Sequence, residues 1–178
     1  MSEFGRGWRI SDDHQKGVPL LLSRGARRRV QAMTERNCYI GIDPGASGAI
    51  AFLFSSGAIV EKLKDMTDKD IVDLLADTSM GWDATAIIEN VHAMPKQGVS
   101  STFKFGVNFG SLCMALTAAG IPFERVTPQI WQRAMGCLSK GDKNVTKRKA
   151  QELFPDLKIT HATADALLIA EYCRRVAR

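Results

Sequence analysis

Three acidic side chains of this sequence stand in unusually apolar surroundings. Asp43 and Glu89 each close a short apolar run, and Asp165 lies inside a third such run. Carboxylates are rarely placed among core residues unless a cation pairs with them. The three acids are far apart in sequence, so we expect the fold to bring them to one shared divalent-cation site. That expectation points to metal-assisted phosphodiester chemistry.

A histidine extends this set of acids. His161 precedes Asp165 by four residues, and the two lie on the same helix face if the last helix extends back that far. Thr160 and Thr163 both resemble helix caps, so the sequence leaves the start of this helix open. An imidazole at position 161 can bind a metal, orient the attacking water or shuttle a proton.

Clustered carboxylates need a cation for a physical reason. Like charges repel each other and raise the pKa of some members of the cluster. Bound Mg²⁺ removes that repulsion, because it prefers hard oxygen ligands and keeps several waters. Two such ions, roughly 3.5–4 Å apart, activate water and stabilise the leaving oxygen. We therefore expect two Mg²⁺ ions, with Mn²⁺ able to substitute, at a site whose metal-binding and catalytic residues are Asp43, Glu89, His161 and Asp165.

Each of the four residues also has a structural interpretation. Asp43 precedes a Pro-Gly pair and is typical of a turn, whereas Asp165 suits the first turn of a helix. Glu89 can be a strand-end carboxylate, and His161 can be a surface residue. One shared site explains all four positions more simply than four separate structural roles.

The apolar pattern from residue 38 onward predicts alternating strands and helices. The predicted strands span 38–43, 49–54, 58–63, 84–89 and 122–126. The predicted helices start after Thr67 and after Thr127, and others cover 101–119, 144–153 and 162–176.

This order predicts an α/β, ribonuclease H-like mixed sheet, in which a three-stranded antiparallel meander and parallel strands are flanked by helices. The first strand and the strand after the first helix can be neighbours, which places Asp43 beside Glu89. The last helix must then deliver Asp165 to the same place. Its predicted inward stripe consists of Asp165, Leu168, Ile169, Tyr172 and Val176.

Composition divides the chain into two parts. Residues 1–36 hold eight of the 24 basic residues and four of the 19 acidic residues, without sustained periodicity, so we expect a disordered basic extension before one folded domain at 37–178. No apolar stretch is long enough to span a membrane. Asp12 and Asp13 argue against an organellar transit peptide, so the expected location is the cytoplasm of a bacterium or of a phage-infected cell.

Two segments are candidate DNA contacts. A basic segment suits phosphates, although a solvated helix face is the alternative; its residues are Lys140, Lys143, Lys147 and Arg148. The segment after Glu89 must lie at the rim of the predicted metal site, where side chains can stack on or wedge between unpaired bases; its candidates are His92, Met94, Lys96 and Phe103. Phe103 has a second interpretation, as a buried residue of the following helix.

At these positions the chain resembles the RuvC-type Holliday junction resolvases. The likeness rests on residues 39–45, 88–91 and 164–170 and extends over about 38–177. It is strongest to the plastid resolvase branch and to related phage enzymes, which also carry a histidine four residues before the last aspartate. The bacterial enzymes instead have an Asp-x-x-Asp pair in the last helix.

The resemblance implies a metal-dependent endonuclease of DNA recombination and repair that resolves four-way junctions by paired symmetric nicks. It also implies a homodimer, whose symmetry matches that of the substrate. The helix at 101–119 is a candidate dimer surface through Phe105, Phe109 and Leu112, with ordinary core packing as the alternative. Two other functions stay open on the same fold: a hybrid-specific or structure-specific nuclease and a non-catalytic junction-binding protein.

Overall fold

The computed structural model describes residues 36–90, 98–138 and 141–177. Its strands are β1 (Asn37–Asp43), β2 (Ala49–Phe54), β3 (Gly57–Lys62), β4 (Asp83–Glu89) and β5 (Phe123–Val126). Its α-helices are α1 (Asp68–Gly81), α2 (Val99–Ala118), α3 (Pro128–Ala134), α4 (Lys143–Leu153) and α5 (His161–Val176), and a short 3₁₀ turn covers Leu63–Asp65. These bounds agree with the sequence prediction to within two residues.

The five strands form one mixed sheet in the order β3-β2-β1-β4-β5. β1 and β2, and β2 and β3, pair antiparallel, which confirms the predicted meander. β4 pairs parallel with β1 on one side and with β5 on the other. The predicted ribonuclease H-like mixed sheet is therefore confirmed, as is the adjacency of the first strand to the strand after the first helix.

Side chains on the two faces of the sheet enter two separate cores, because successive strand residues point to opposite faces. On β1, Cys38, Ile40 and Ile42 pack in the core beneath α1 and α2. The alternate positions of β1 and β4, including Tyr39 and Ile87, face the core formed with α3, α4 and α5. The sheet is thus covered by helices on both sides.

Helix α5 contacts β1 through backbone atoms. A Cβ atom added at Gly41 would lie 2.2 Å from the amide nitrogen of Ala170 and 2.3 Å from the carbonyl oxygen of Ala166. Only glycine permits this approach, because any side chain would occupy the space of the helix backbone. Gly41 therefore fixes the distance and the height at which α5 crosses the first strand.

Capping residues define where the helices begin. Thr67 and Asp70 form the predicted capping box at the start of α1. At α5, Thr160 is the N-cap and Thr163 is its reciprocal partner at the third helical position, so both predicted caps act at the same helix start. His161 is consequently the first residue of α5, one position earlier than predicted.

The buried surface of α5 is broader than the predicted stripe. Leu168 and Ile169 are buried as expected, but Ala166 and Cys173 are buried as well, and Val176 is 44% exposed. The predicted stripe was too narrow because α5 packs against the sheet on one side and against α4 on another. The four cysteines, Cys38, Cys113, Cys137 and Cys173, are free and buried.

The N-terminal segment and the lengths of the helices bear on two further sequence predictions. Apart from Arg36, the predicted basic extension at 1–36 lies outside the described residues. Among the helices that the structure describes, we find none with the length and apolar character needed to cross a bilayer.

Replacing Gly41 with alanine should destabilise the domain strongly. The new methyl group has to displace backbone atoms of α5, so we expect a loss of roughly 3 kcal/mol or more in the free energy of unfolding. Gly81→Ala is the matched control, because a Cβ at the last position of α1 meets nothing within 4 Å. Urea denaturation of both variants measures the difference, and equal stabilities would contradict a tight α5–β1 contact.

Candidate active site

The two strands place Asp43 and Glu89 side by side. The parallel register of β1 and β4 pairs Ile42 with Ile88, so Asp43 and Glu89 stand at the next positions of adjacent strands. Strand alternation also puts both side chains on the sheet face covered by α5, the face that Gly41 and Ile87 share. Both carboxylates therefore point toward the last helix at the carboxyl edge of the sheet.

Helix α5 supplies the third carboxylate. Ala166 touches Gly41, and Asp165 precedes it toward the end of the helix that lies near Asp43. The charges of Glu89 and Asp165 both act on Asp43 and raise its pKa. The structure thus brings together the three acids that the sequence singled out.

Burial dominates the electrostatics of Asp43. Desolvation raises the pKa of Asp43 well above its ordinary value, and repulsion from Glu89 and Asp165 raises it further. The ammonium group of Lys143, the first residue of α4, acts in the opposite direction. In the absence of a bound cation the first strand therefore ends in a carboxyl group that resists ionisation.

Glu89 is held by a buried tryptophan. The indole Nε1 of Trp131 on α3 donates a hydrogen bond of 2.8 Å to Glu89 Oε2, and the Trp131 side chain is fully buried. Burial raises the pKa of Glu89 to about 7, while the hydrogen bond from Trp131 opposes that rise. Trp131 therefore fixes the direction of one carboxylate oxygen and leaves the other available to a ligand.

Asp165 carries an unpaired buried oxygen. Within the described part of the chain, Asp165 Oδ1 is buried and has no hydrogen-bond partner. Desolvation raises the pKa of Asp165, and the Thr146 hydroxyl, Lys143 and His161 oppose that rise. His161 is exposed at the start of α5, one helical turn before Asp165, where its charge reaches that carboxylate.

A buried acid elsewhere in the domain shows what is unusual about the cluster. Glu171, further along α5, is 3% exposed. Its Oε1 accepts a hydrogen bond of 2.9 Å from Arg175, and its Oε2 forms an ion pair of 2.7 Å with Arg174 without hydrogen-bond geometry. None of Asp43, Glu89 and Asp165 forms an ion pair with any residue in the described ranges. The three acids thus lack the close ion pairs that buried carboxylates ordinarily have, and the hydrogen bond from Trp131 to Glu89 and the more distant charge of Lys143 offset their burial only in part.

The donor chemistry of the cluster fits a divalent cation. The oxygens are hard ligands, one of them is buried without a partner, and mutual repulsion raises the pKa of Asp43. A bound cation would give the unpartnered oxygen a ligand bond and would offset the repulsion between the carboxylates. In the described residues, however, no three His, Cys, Asp or Glu side chains are already gathered closely enough to enclose an ion, so these side chains would have to rotate to hold one.

The predicted DNA contacts are only partly described. Lys143 lies near the acidic cluster, Lys147 is half-buried on α4 and Arg148 is exposed. Phe103 is 71% exposed on α2, so its interpretation as a core residue was wrong. His92, Met94, Lys96 and Lys140 lie outside the described residues.

Sequence reasoning missed two residues that support the cluster. Trp131 had no predicted role, although a tryptophan one turn into a helix needs a buried acceptor for its N–H, which was a usable signal. Asn108 on α2 accepts a hydrogen bond of 2.8 Å from the backbone N–H of Gly45 and so anchors the turn after Asp43. No local pattern indicated that contact, because the two residues are 63 positions apart.

The raised pKa of Glu89 predicts how stability depends on pH without metal. In the folded state Glu89 ionises at about 7 rather than at its ordinary 4.5, so the unfolded chain releases this proton first and stability falls as pH rises from about 5 to 8. Glu89→Gln keeps an acceptor for Trp131 but cannot ionise. We expect it to exceed the wild type in free energy of unfolding at pH 8, by up to about 3 kcal/mol, with little difference at pH 5.

Urea denaturation in EDTA at the two pH values provides the measurement. Asp77→Asn, which changes an exposed acid on α1, should follow the wild type at both. If the wild type and Glu89→Gln showed the same pH dependence, Glu89 would have to ionise normally in the fold.

Comparisons with known proteins support the fold. No protein-family model matches the chain, and no curated protein sequence does. Solved structures that are similar to it include two of RuvC. Thermus thermophilus RuvC in complex with a Holliday junction substrate has a TM-score of 0.55 and 18% identity, over 79% of this chain and 96% of that one. A second Thermus thermophilus RuvC structure has a TM-score of 0.50 and 17% identity, over 78% and 95% of the two chains. At these identities the likeness establishes a shared RuvC-like, ribonuclease H-like architecture.

Proposed function

We propose that this chain is a divalent-metal-dependent endonuclease that resolves four-way DNA junctions by paired, symmetric nicks. One observation carries the proposal. Three carboxylates from β1, β4 and α5 meet at one edge of a ribonuclease H-like sheet, and none of them forms an ion pair with the described residues. The similarity to RuvC, which has been solved with a Holliday junction, supports four-way junctions as the substrate.

The chain's own residues take distinct roles in this proposal. Asp43 and Glu89 present oxygens from the edge of the sheet, and Asp165 presents its unpaired oxygen from α5. Trp131 holds Glu89 in place through its N–H. His161, exposed beside Asp165, is placed either to complete the ligand set or to move a proton at the attacking water.

Bound Mg²⁺, or Mn²⁺ in its place, would lower the pKa of the attacking water and stabilise the leaving oxygen, most effectively as a pair of ions. Asp43, Glu89 and Asp165 are the residues that would hold them. The proximity of Lys143 to Asp43 and Asp165 puts a positive charge where a DNA phosphate would approach. Lys147 and Arg148 extend that charge along α4, in keeping with backbone contacts.

A homodimer completes the proposal, and α2 offers the surface for it. Of the residues first expected there, Leu112 is fully buried and faces the core, and Phe105 and Phe109 are half-buried against the domain. The exposed apolar residues of α2 recur instead at helical spacing: Val99, Phe103, Val107 and Met114. A second copy of the chain would cover this stripe, and a twofold axis there would present two sites to the two opposed strands of a junction.

Substitution of the carboxylates tests the nuclease proposal. Asp43→Asn, Glu89→Gln and Asp165→Asn should each lower junction cleavage by roughly a thousandfold, since each removes a ligand from a centre that contributes several kcal/mol. Junction affinity should change little, because it comes mainly from phosphate contacts. Gel analysis of labelled synthetic four-way junctions with Mg²⁺ measures cleavage, and fluorescence anisotropy in EDTA measures binding.

The controls separate this function from its alternatives. Asp77→Asn, away from the cluster, should cleave like the wild type. A wild-type chain that cuts RNA–DNA hybrids faster than junctions would be a different nuclease on this fold. One that binds junctions but cuts no substrate with Mg²⁺ or Mn²⁺ would be a junction-binding protein.

The dimer is tested by placing charge on the exposed stripe. Val107→Glu should convert the dimer to a folded monomer, because burying an unpaired carboxylate in an apolar interface is unfavourable. Met80→Glu, at an exposed apolar position on α1, is the matched control and should stay dimeric. Sedimentation equilibrium reports the mass, and a dimeric Val107→Glu variant would show that this stripe is not the interface.

A further inference from the structure

A groove lies between the turn that follows Asp43 and the first half of α2. Ala46 from the turn and Ser101, Lys104, Phe105 and Asn108 from the helix line it, and its volume is about 340 Å³. That volume is within the range of small-ligand sites in proteins. None of these residues belongs to the DNA contacts predicted from the sequence, and the exposed stripe with Phe103 lies on another face of α2.

The floor of the groove is fixed by two contacts to Gly45. Asn108 Oδ1 accepts the Gly45 N–H at 2.8 Å. The ring of Phe105 would lie 3.4 Å from a Cβ at Gly45, whose φ of +114° already favours glycine. The groove therefore keeps its shape at a point only two residues, or at most about 7 Å of chain, beyond Asp43.

The groove offers chemistry that suits a nucleotide. Lys104 is exposed and forms no ion pair with the residues that the structure describes, so its ammonium group is available to a phosphate. Ser101 adds an exposed hydroxyl, and the half-buried ring of Phe105 adds an apolar wall for a sugar or a base.

Aromatic rings continue this surface toward the edge strand β5. Phe105 stacks on Phe109 with ring centroids 6.4 Å apart and an interplanar angle of 20°. The guanidinium of Arg125 on β5 lies 5.4 Å from the centroid of Phe109 and 6.0 Å from that of Phe123. The two rings thus hold the exposed Arg125 in one place. Lys104, Phe105, Phe109 and Arg125 therefore form one row across the surface, with a cation at each end.

From this row we infer a path for the DNA backbone: the strand that is cut runs from the acidic cluster through the groove, with one phosphate at Lys104 and a later one at Arg125. The inference rests on the proposed nuclease function. The acidic cluster receives the phosphate that is cut, the groove receives the neighbouring nucleotide, and the stacked Phe105 and Phe109 carry the strand to β5. A nucleic acid strand is the occupant that matches two separated cations joined by aromatic faces.

Salt dependence of junction binding tests the two cations. In the full chain with EDTA, Lys104→Gln and Arg125→Gln should each reduce the slope of log affinity against log salt by about 0.9, so that the loss of affinity between 50 and 200 mM salt shrinks by roughly 3.5-fold. Lys69→Gln, on α1 outside the groove, is the control and should leave the slope unchanged. Thermal denaturation of each variant verifies that it is folded. Slopes for Lys104→Gln and Arg125→Gln equal to that of Lys69→Gln would overturn the path.

Photocrosslinking tests the position of the strand directly. With the Asp43→Asn variant, 5-iododeoxyuridine placed within three nucleotides of the cut should crosslink to Phe105 or Phe109. Crosslinks from those nucleotides that fall only outside α2 and β5 would overturn the inference. A chain that cuts no junction yet shows the reduced slopes would overturn the nuclease proposal and leave the groove as a nucleic acid site. Unchanged slopes in a chain that cuts junctions would overturn the groove alone.

Discussion

The contact between the backbones of α5 and β1 at Gly41 is the constraint on which the site depends. A strand and a helix normally meet through side chains, which leaves their relative height adjustable by a rotamer. Here the carbonyl of Ala166 and the amide of Ala170 rest where a side chain of β1 would be, so the helix has no freedom to shift. Asp165 is the next residue along α5 from Ala166, and its position relative to Asp43 is set by that contact.

Three carboxylates held close together in this way lower the free energy of unfolding of the domain. Burial and repulsion raise the pKa of Asp43, and burial raises that of Glu89 to about 7. The fold tolerates the arrangement because two large cores lie on either side of the sheet and because Trp131 satisfies one oxygen of Glu89. Strongly raised carboxylate pKa values of this kind are typical of functional sites. The unpaired oxygen of Asp165 shows the same pattern at the third member of the cluster.

Much of this architecture was predictable because its signals are local. The runs ending at Asp43 and Glu89 were strands whose order allowed only a few sheets, and the capping residue Thr67 marked a helix start that the structure confirms. The features that the sequence did not predict depend on contacts between residues that are far apart in the chain. The bond from Trp131 to Glu89 spans 42 positions, and nothing near either residue identifies its partner. Helix α2 carries phenylalanine, valine and glycine on several sides, so its sequence did not reveal that Phe103 faces outward while Leu112 is in the core.

The three acids come from the first strand, the fourth strand and the last helix, and this spacing governs when the site can exist. During synthesis β1 and β4 can pair long before α5 has been made, but their carboxylates then face a sheet surface that is still bare. The third acid arrives only when α5 docks on Gly41, which is also the event that closes the larger core over that surface. A chain in which α5 has not docked therefore has two of the acids without the third, so the proposed site exists only once that helix is in place.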